Sequence, residues 1–246
     1  MFKWAVSREL VPVATYQSLL TVEGLRKGRT PARESEPVKP VPWEHVEAIL
    51  PHVSHQVQAM VRFQLVVACR PGEVTLIRPC DIDRTVDPWI YRPRSHKTEH
   101  HDRERKIPIG AEGQKIMMPW LDRAPESYCF SPREARESFD AERRRNRKTP
   151  HTPSSLRRTQ KVNPKRKPGE WYTTSTYDDA VARACLRAGV PHWHPNQLRH
   201  SRATEIRKKF GLEGSQVVLG HASAHVTQIY AERDFELAKH IMREIG

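Results

Sequence analysis

"LGHASAHVTQIYAERD", running from Leu219 to Asp234, sets His221 and Tyr230 nine positions apart in a heavily basic chain. A tyrosine closing a helical stretch is, taken alone, a core aromatic, because aromatic side chains mostly fill interiors. A phenol can also be a nucleophile. Which reading holds depends on what stands upstream, and "PNQLRHS", Pro195 to Ser201, sets Asn196, Arg199 and His200 ahead of it.

Bulk properties narrow the classes open to such a tyrosine. The 246 residues suffice for one full domain with a sizeable core and a fragment of another. Lys and Arg number 42 against 29 acids, a formal charge of +13, so the expected large partner is a polyanion, nucleic acid ahead of an anionic membrane surface. Cys69, Cys80, Cys129 and Cys185 form no C-x-x-C pair, which argues against a disulfide framework or a cysteine-rich zinc site. No uninterrupted apolar run reaches membrane-span length, and "MFKWAVSREL" lacks a signal-peptide core, so the expectation is a cytoplasmic protein with no membrane partner.

Working outward along the chain, residues 1–25 carry helix-spaced apolar residues, Phe2, Ala5 and Val6, then Tyr16, Leu19, Leu20 and Val22, in pieces too short to bury their faces alone. Residues 26–42, "RKGRTPARESEPVKPVP", read as an extended linker. Val57, Val61, Leu65 and Ala68 predict a helix ending just before Arg70, and Pro71 suits the first turn of the next. "PWIYRPRSHKTEHHDRERKIPI" has β-prone ends around a charged middle and predicts a hairpin with a solvated tip. In "TSTYDDAVARACLRAGV", Ser175 is the candidate N-cap with Asp178 three residues on, and Gly189 the stop. Residues 131–168 hold 13 Lys or Arg against 4 acids and few apolar residues, which predicts a basic, flexible insertion, either merely solvated or contacting a DNA backbone. A closing apolar stripe, Leu237, Ala238, Ile241, Met242 and Ile245, predicts a tail helix over 235–246. The fold class expected is mainly α with a small antiparallel sheet (α+β).

Four stretches, "ACRPGEV" with Arg70 and Glu73, "HKTEHH" with Lys97, "PNQLRHS" with Asn196 and Arg199, and the opening stretch with His221 and Tyr230, together and in this order resemble the active-site signature of the tyrosine recombinase (phage integrase) family. The resemblance covers roughly Val41 to Asp234, the catalytic domain at residues 43–234, and implies the integrase catalytic fold. It makes residues 1–25 similar to the last helical part of an N-terminal core-binding domain, so the chain looks like a fragment of a longer protein. It implies a phage, bacterial or mobile-element DNA strand transferase that needs no metal or nucleotide cofactor and acts on double-stranded DNA through a covalent phosphotyrosine.

The chemistry explains those residue types. A phosphodiester under attack accumulates negative charge, and paired guanidinium donors match two non-bridging oxygens. By resemblance Arg70 and Arg199 take those roles, Tyr230 attacks, Lys97 protonates the departing 5′-oxygen, and His221 bonds the scissile phosphate. Glu73 steadies the site from behind, and His200 reads as a buried structural hydrogen-bonder. Arg143, Arg144, Arg145, Arg147, Lys148, Lys165, Arg166 and Lys167 are the candidate DNA contacts. Where the family has H-x-x-R, this chain has Asn196, an amide without useful basicity, which predicts slower proton removal from Tyr230 and keeps open a DNA-binding protein with lost or impaired catalysis. Taken alone, Arg70 and Glu73 also read as an i,i+3 ion pair. "HKTEHH" invites a zinc reading, but no second ligand cluster at familiar spacing supports a metal. The tail resembles the segment that family members pack into a neighbouring protomer of a tetramer on DNA; packing back onto its own domain, as a monomer without DNA, covers the same stripe.

Overall fold

In a computed structural model the chain is described over residues 1–25, 28–33, 38–94, 105–150, 152–156 and 167–220. It divides into two compact units, Met1–Val38 and Lys39–Gly246. The first holds α1 (Phe2–Ser7) and α2 (Val13–Leu20), neither of which buries a residue. Helices this short cannot bury an apolar face unaided, as their length predicts.

The second unit is built around α4 (His55–Val67), whose Met60, Val61 and Phe63 are fully buried. Ser54 caps it by accepting the Val57 N–H, and Ala68 ends it in the left-handed region at φ 58°. A Cβ in that region is strained. The alanine is retained there with its methyl in a buried cluster with Ala203 and Leu219. α3 (Trp43–Ile49) packs on α9 (Thr174–Ala188), α5 (Pro71–Thr75) bridges α4 and α9, and α6 (Ala111–Met117) crosses α4. Gly113 permits that crossing, since an added Cβ would stand 2.8 Å from Ile109 Cγ2 and 3.0 Å from Val67 Cγ2.

Three short strands, β1 (Ile82–Asp83), β2 (Trp89–Tyr91) and β3 (Ile107–Ile109), form an antiparallel sheet in that order. Tyr91 pairs with Ile107 and Trp89 with Ile109, so the hairpin expected from the β-prone ends forms. Its tip, residues 95–104 with Lys97, lies outside the described residues. Pro108 sits on the edge strand, the position in a sheet that tolerates a missing N–H.

Two expectations are corrected. α9 is capped by Thr173, which exchanges bonds with Thr176 in a capping box, not by Ser175. The predicted flexible stretch opens with a 14-residue helix, α7 (Pro132–Arg145), tethered by Arg123–Glu134 at 3.1 Å and Arg133–Glu170 at 2.9 Å. Poor apolar content says nothing against a helix of Glu, Ala and Arg with proline at its first position and an Arg136–Asp140 pair at i,i+4. A single turn, α8 (Pro153–Leu156), follows. α10 (Pro195–Leu219) breaks at Gly211, φ 74° and ψ −176°, and ends at Gly220. Residues 221–246, with the expected tail helix, lie outside the described residues.

Candidate active site

Arg70 stands at the N-cap of α5 with extended backbone, and Glu73, one turn on, reaches back to it. The Glu73 carboxylate accepts the Arg70 N–H at 2.6 Å through Oε2 and the Arg70 Nη1–H at 2.9 Å through Oε1. Glu73 is buried, while 24% of the Arg70 side chain stays open. The i,i+3 ion pair therefore exists and still leaves guanidinium surface exposed.

Arg199, on α10, arrives from the other end of the unit and is only 1% exposed. Its Nη1 donates to the Ala68 carbonyl at 2.5 Å and its Nη2 to the Leu219 carbonyl at 2.6 Å. These two bonds tie the left-handed end of α4 to the last turn of α10, immediately ahead of His221. Gln64 of α4 secures the start of α10 by donating to the Pro195 carbonyl at 3.0 Å. Burial, with Arg70 and Arg105 nearby, pulls the Arg199 guanidinium down to about 10, so it stays charged at neutral pH.

Arg105 is the residue that reading the sequence did not place. It sits two positions before Ile107 and, like Ile107 and Ile109, is buried, while Lys106 and Pro108 are exposed. Its Nε lies 3.5 Å from Glu73 Oε1, and its guanidinium packs so closely on Gly220 that an added Cβ there would overlap it. Tyr91 fixes the hairpin to the same spot by donating to the Glu73 carbonyl at 2.6 Å. Strand alternation is the signal that finds Arg105, because residues two apart share a face.

Glu73 is thus the carboxylate on which Arg70 and Arg105 converge, with Arg199 close enough to act on it electrostatically. Burial pushes its pKa up, but Arg105, the Arg70 N–H and guanidinium, and Arg199 more than offset this and hold it below the usual glutamate value. Cys69, fully buried between these groups, is pushed far up by burial first and Glu73 second, and stays a thiol. Among the described residues the cluster sets three guanidiniums around the Glu73 carboxylate, an arrangement suited to meeting an anion with several negative oxygens.

Asn196 lies partly exposed at the start of α10, and His200 is buried at 6% exposure. Arg143, Arg144 and Arg145 fill the exposed last turn of α7, with Arg147, Lys148 and Lys167 also exposed. Lys97, Lys165, Arg166, His221 and Tyr230 lie outside the described residues. A separate groove of about 660 Å³ between the α3–α4 connection, α7 and α9 includes none of the arginine cluster.

The sequence model of the phage integrase family matches residues 43–236. The chain belongs to the phage integrase family. Similar curated proteins include the tyrosine recombinase XerC of Alcanivorax borkumensis, 38% identical over 72 residues, 28% of this chain and 24% of the relative. Tyrosine recombinase XerC 1 of Ralstonia nicotianae is 29% identical over 143 residues, 56% of this chain and 36% of the relative. These matches span about a third or less of the curated relatives. Among solved structures, XerA recombinase aligns with TM-score 0.54 at 18% identity over 98% of this chain and 78% of that one. A lambda integrase dimer bound to a COC′ core site aligns at 0.57 and 15%, over 93% and 55%. Tn1549 transposon integrase in complex with circular intermediate DNA aligns at 0.55 and 14%, over 95% and 76%. These likenesses identify the tyrosine recombinase catalytic fold in this phage integrase family member.

Proposed function

We propose that this chain cuts and rejoins double-stranded DNA at specific sites through a 3′-phosphotyrosine on Tyr230. The observation that carries the reading is the convergence of Arg70 and Arg199, from distant segments, around one buried acid. In the proposed step the Tyr230 phenol gives its proton to water, its oxygen bonds to phosphorus, and the bond to the 5′-oxygen breaks. Lys97 gives the departing oxygen its proton, and His221 donates to the phosphate. Arg70, its guanidinium partly open, meets the charge that builds on the non-bridging oxygens, and Arg199 adds field from the buried side. Glu73, touching both Arg70 and Arg105, positions these groups. The phosphotyrosine keeps the energy of the broken ester for rejoining, so the reaction needs no nucleotide and the guanidiniums take the place of a metal.

XerC-type relatives and DNA-bound neighbours support the reading. The test is a pool of duplexes of randomised sequence, each nicked so that cleavage releases a short strand that diffuses away. The expected result is a covalent protein–DNA adduct that survives denaturation with the native chain and is absent with Tyr230→Phe.

A second reading, a DNA-binding protein that has lost the reaction, is favoured by Asn196, an amide without useful basicity where the family has a histidine. It predicts that the chain retards DNA without ever forming an adduct and that Asn196→His restores one. If the native chain forms adducts as fast as Asn196→His, the amide is no handicap and this reading is wrong.

A further inference from the structure

"PHWHP", Pro191 to Pro195, joins α9 to α10. Proline restrains the residue before it to extended backbone, and His194 is extended at φ −100° and ψ 145°. In an extended segment alternate side chains share a face. Trp193 points inward and is buried at 2%, while His192 and His194 are exposed, their rings edge to face with centroids 4.4 Å apart. His194 is pinned further by donating its backbone N–H to Gln197 Oε1 at 2.8 Å.

Asp178 of α9 comes to the same place. Its Oδ1 lies 2.9 Å from His194 Nδ1, and one ligand atom from each of Asp178, His192 and His194 falls within 4.8 Å of the others. The imidazole of His192 makes no hydrogen bond among the described residues, so the His194–Asp178 pair alone does not account for its position.

We propose that Asp178, His192 and His194 form a surface site for one divalent transition-metal ion of the zinc class. Two imidazoles and a carboxylate are the donors that such borderline ions take, whereas magnesium and calcium prefer oxygen alone. Tetrahedral zinc, with ligand bonds of about 2.0–2.1 Å, sets its ligand atoms about 3.4 Å apart. The separations of up to 4.8 Å must close by at most about 1.4 Å, and the 2.9 Å Asp178–His194 contact must open by about 0.5 Å. The exposed rings can turn that far, and the two prolines and buried Trp193 already hold the backbone, which lowers the ordering cost of binding. Water completes the coordination. The ion would clip α9 to the entry of α10, the helix that carries Asn196 and Arg199, and so stabilise the folded state by mass action.

The test uses the full, untagged chain stripped with chelator and titrated first with cobalt, whose visible absorption reports coordination, and then with zinc as competitor. One ion per chain is expected in the tightest class. Its affinity should fall by about tenfold or more in His192→Ala and in Asp178→Asn, the order of loss seen when a metal site loses a supporting group. At one fixed zinc concentration, zinc should raise the thermal midpoint of the native chain by more than that of His192→Ala. His192 is exposed and makes no described hydrogen bond, so this variant should match the native midpoint in chelator. Should the tight class survive His192→Ala and vanish instead when His96, His100 and His101 of "HKTEHH" are replaced, or should no tight class be found, the proposal is overturned.

Discussion

Glu73 shows how much of the site's behaviour resides in one side chain. It is buried against Arg70 and Arg105, with Arg199 in electrostatic reach, so Glu73→Gln removes the buried negative charge that Arg70 and Arg105 pair with. Removing one partner of a buried ion pair costs about 3–5 kcal/mol. At roughly 2–4 °C per kcal/mol for a domain of this size, the melting point should drop by about 6–20 °C. The sign of the pH dependence follows from the lowered pKa of Glu73. Its stabilisation is fully present above the ordinary glutamate value of about 4.3 and is lost as pH falls through the lower folded value. The gap between native and Glu73→Gln melting points should therefore be widest near neutrality and narrow toward pH 3; a gap that does not change with pH would contradict this assignment. Arg70, Glu73 and Arg199 could be read from the sequence because each stands in a short motif. Arg105 could not be separated from Arg103 and Lys106 by motif, since its partner Glu73 meets it only through antiparallel pairing. In sequence Asp178 resembles a helix-capping residue, and only the return of the chain at Trp193 brings it to His194.

At the scale of elements, periodicity carried the reading wherever one face is buried. α4, the start of α5 and the β2–β3 hairpin follow from apolar spacing and proline placement. α7 buries no residue and so carries no apolar stripe in its sequence. Tight packing between elements was also invisible in one dimension, and Gly113 is its clearest case. Replacing a helical glycine by alanine gains about 1 kcal/mol of propensity. Forcing a methyl against Ile109 and Val67 costs about 1–3 kcal/mol, and the closest approach here is tighter than van der Waals contact. Overpacking should win, so Gly113→Ala should unfold at lower urea concentration than the native chain with an unchanged slope. A higher midpoint would show that α6 can shift off α4 without loss.

For the molecule as a whole, the surplus of 42 basic over 29 acidic residues is the property most directly tied to a polyanionic partner. The exposed end of α7 concentrates it in Arg143, Arg144 and Arg145. Each phosphate contact contributes about 0.9 to the slope of log affinity against log salt. If all three bind phosphate, replacing them with glutamine should weaken DNA binding across sequences and reduce that slope by about 2.7. An unchanged slope would assign them to solvation alone. The family match and the fold place this chain among the phage integrases; the proposed reaction rests on Tyr230. The most direct test is to digest the trapped protein–DNA adduct and locate the modified residue by mass spectrometry. The expected product is a nucleotide joined through its 3′-phosphate to the Tyr230 oxygen, with the 5′-hydroxyl on the released strand. A nucleotide carried by any other residue, or joined through a 5′-phosphate, would contradict it.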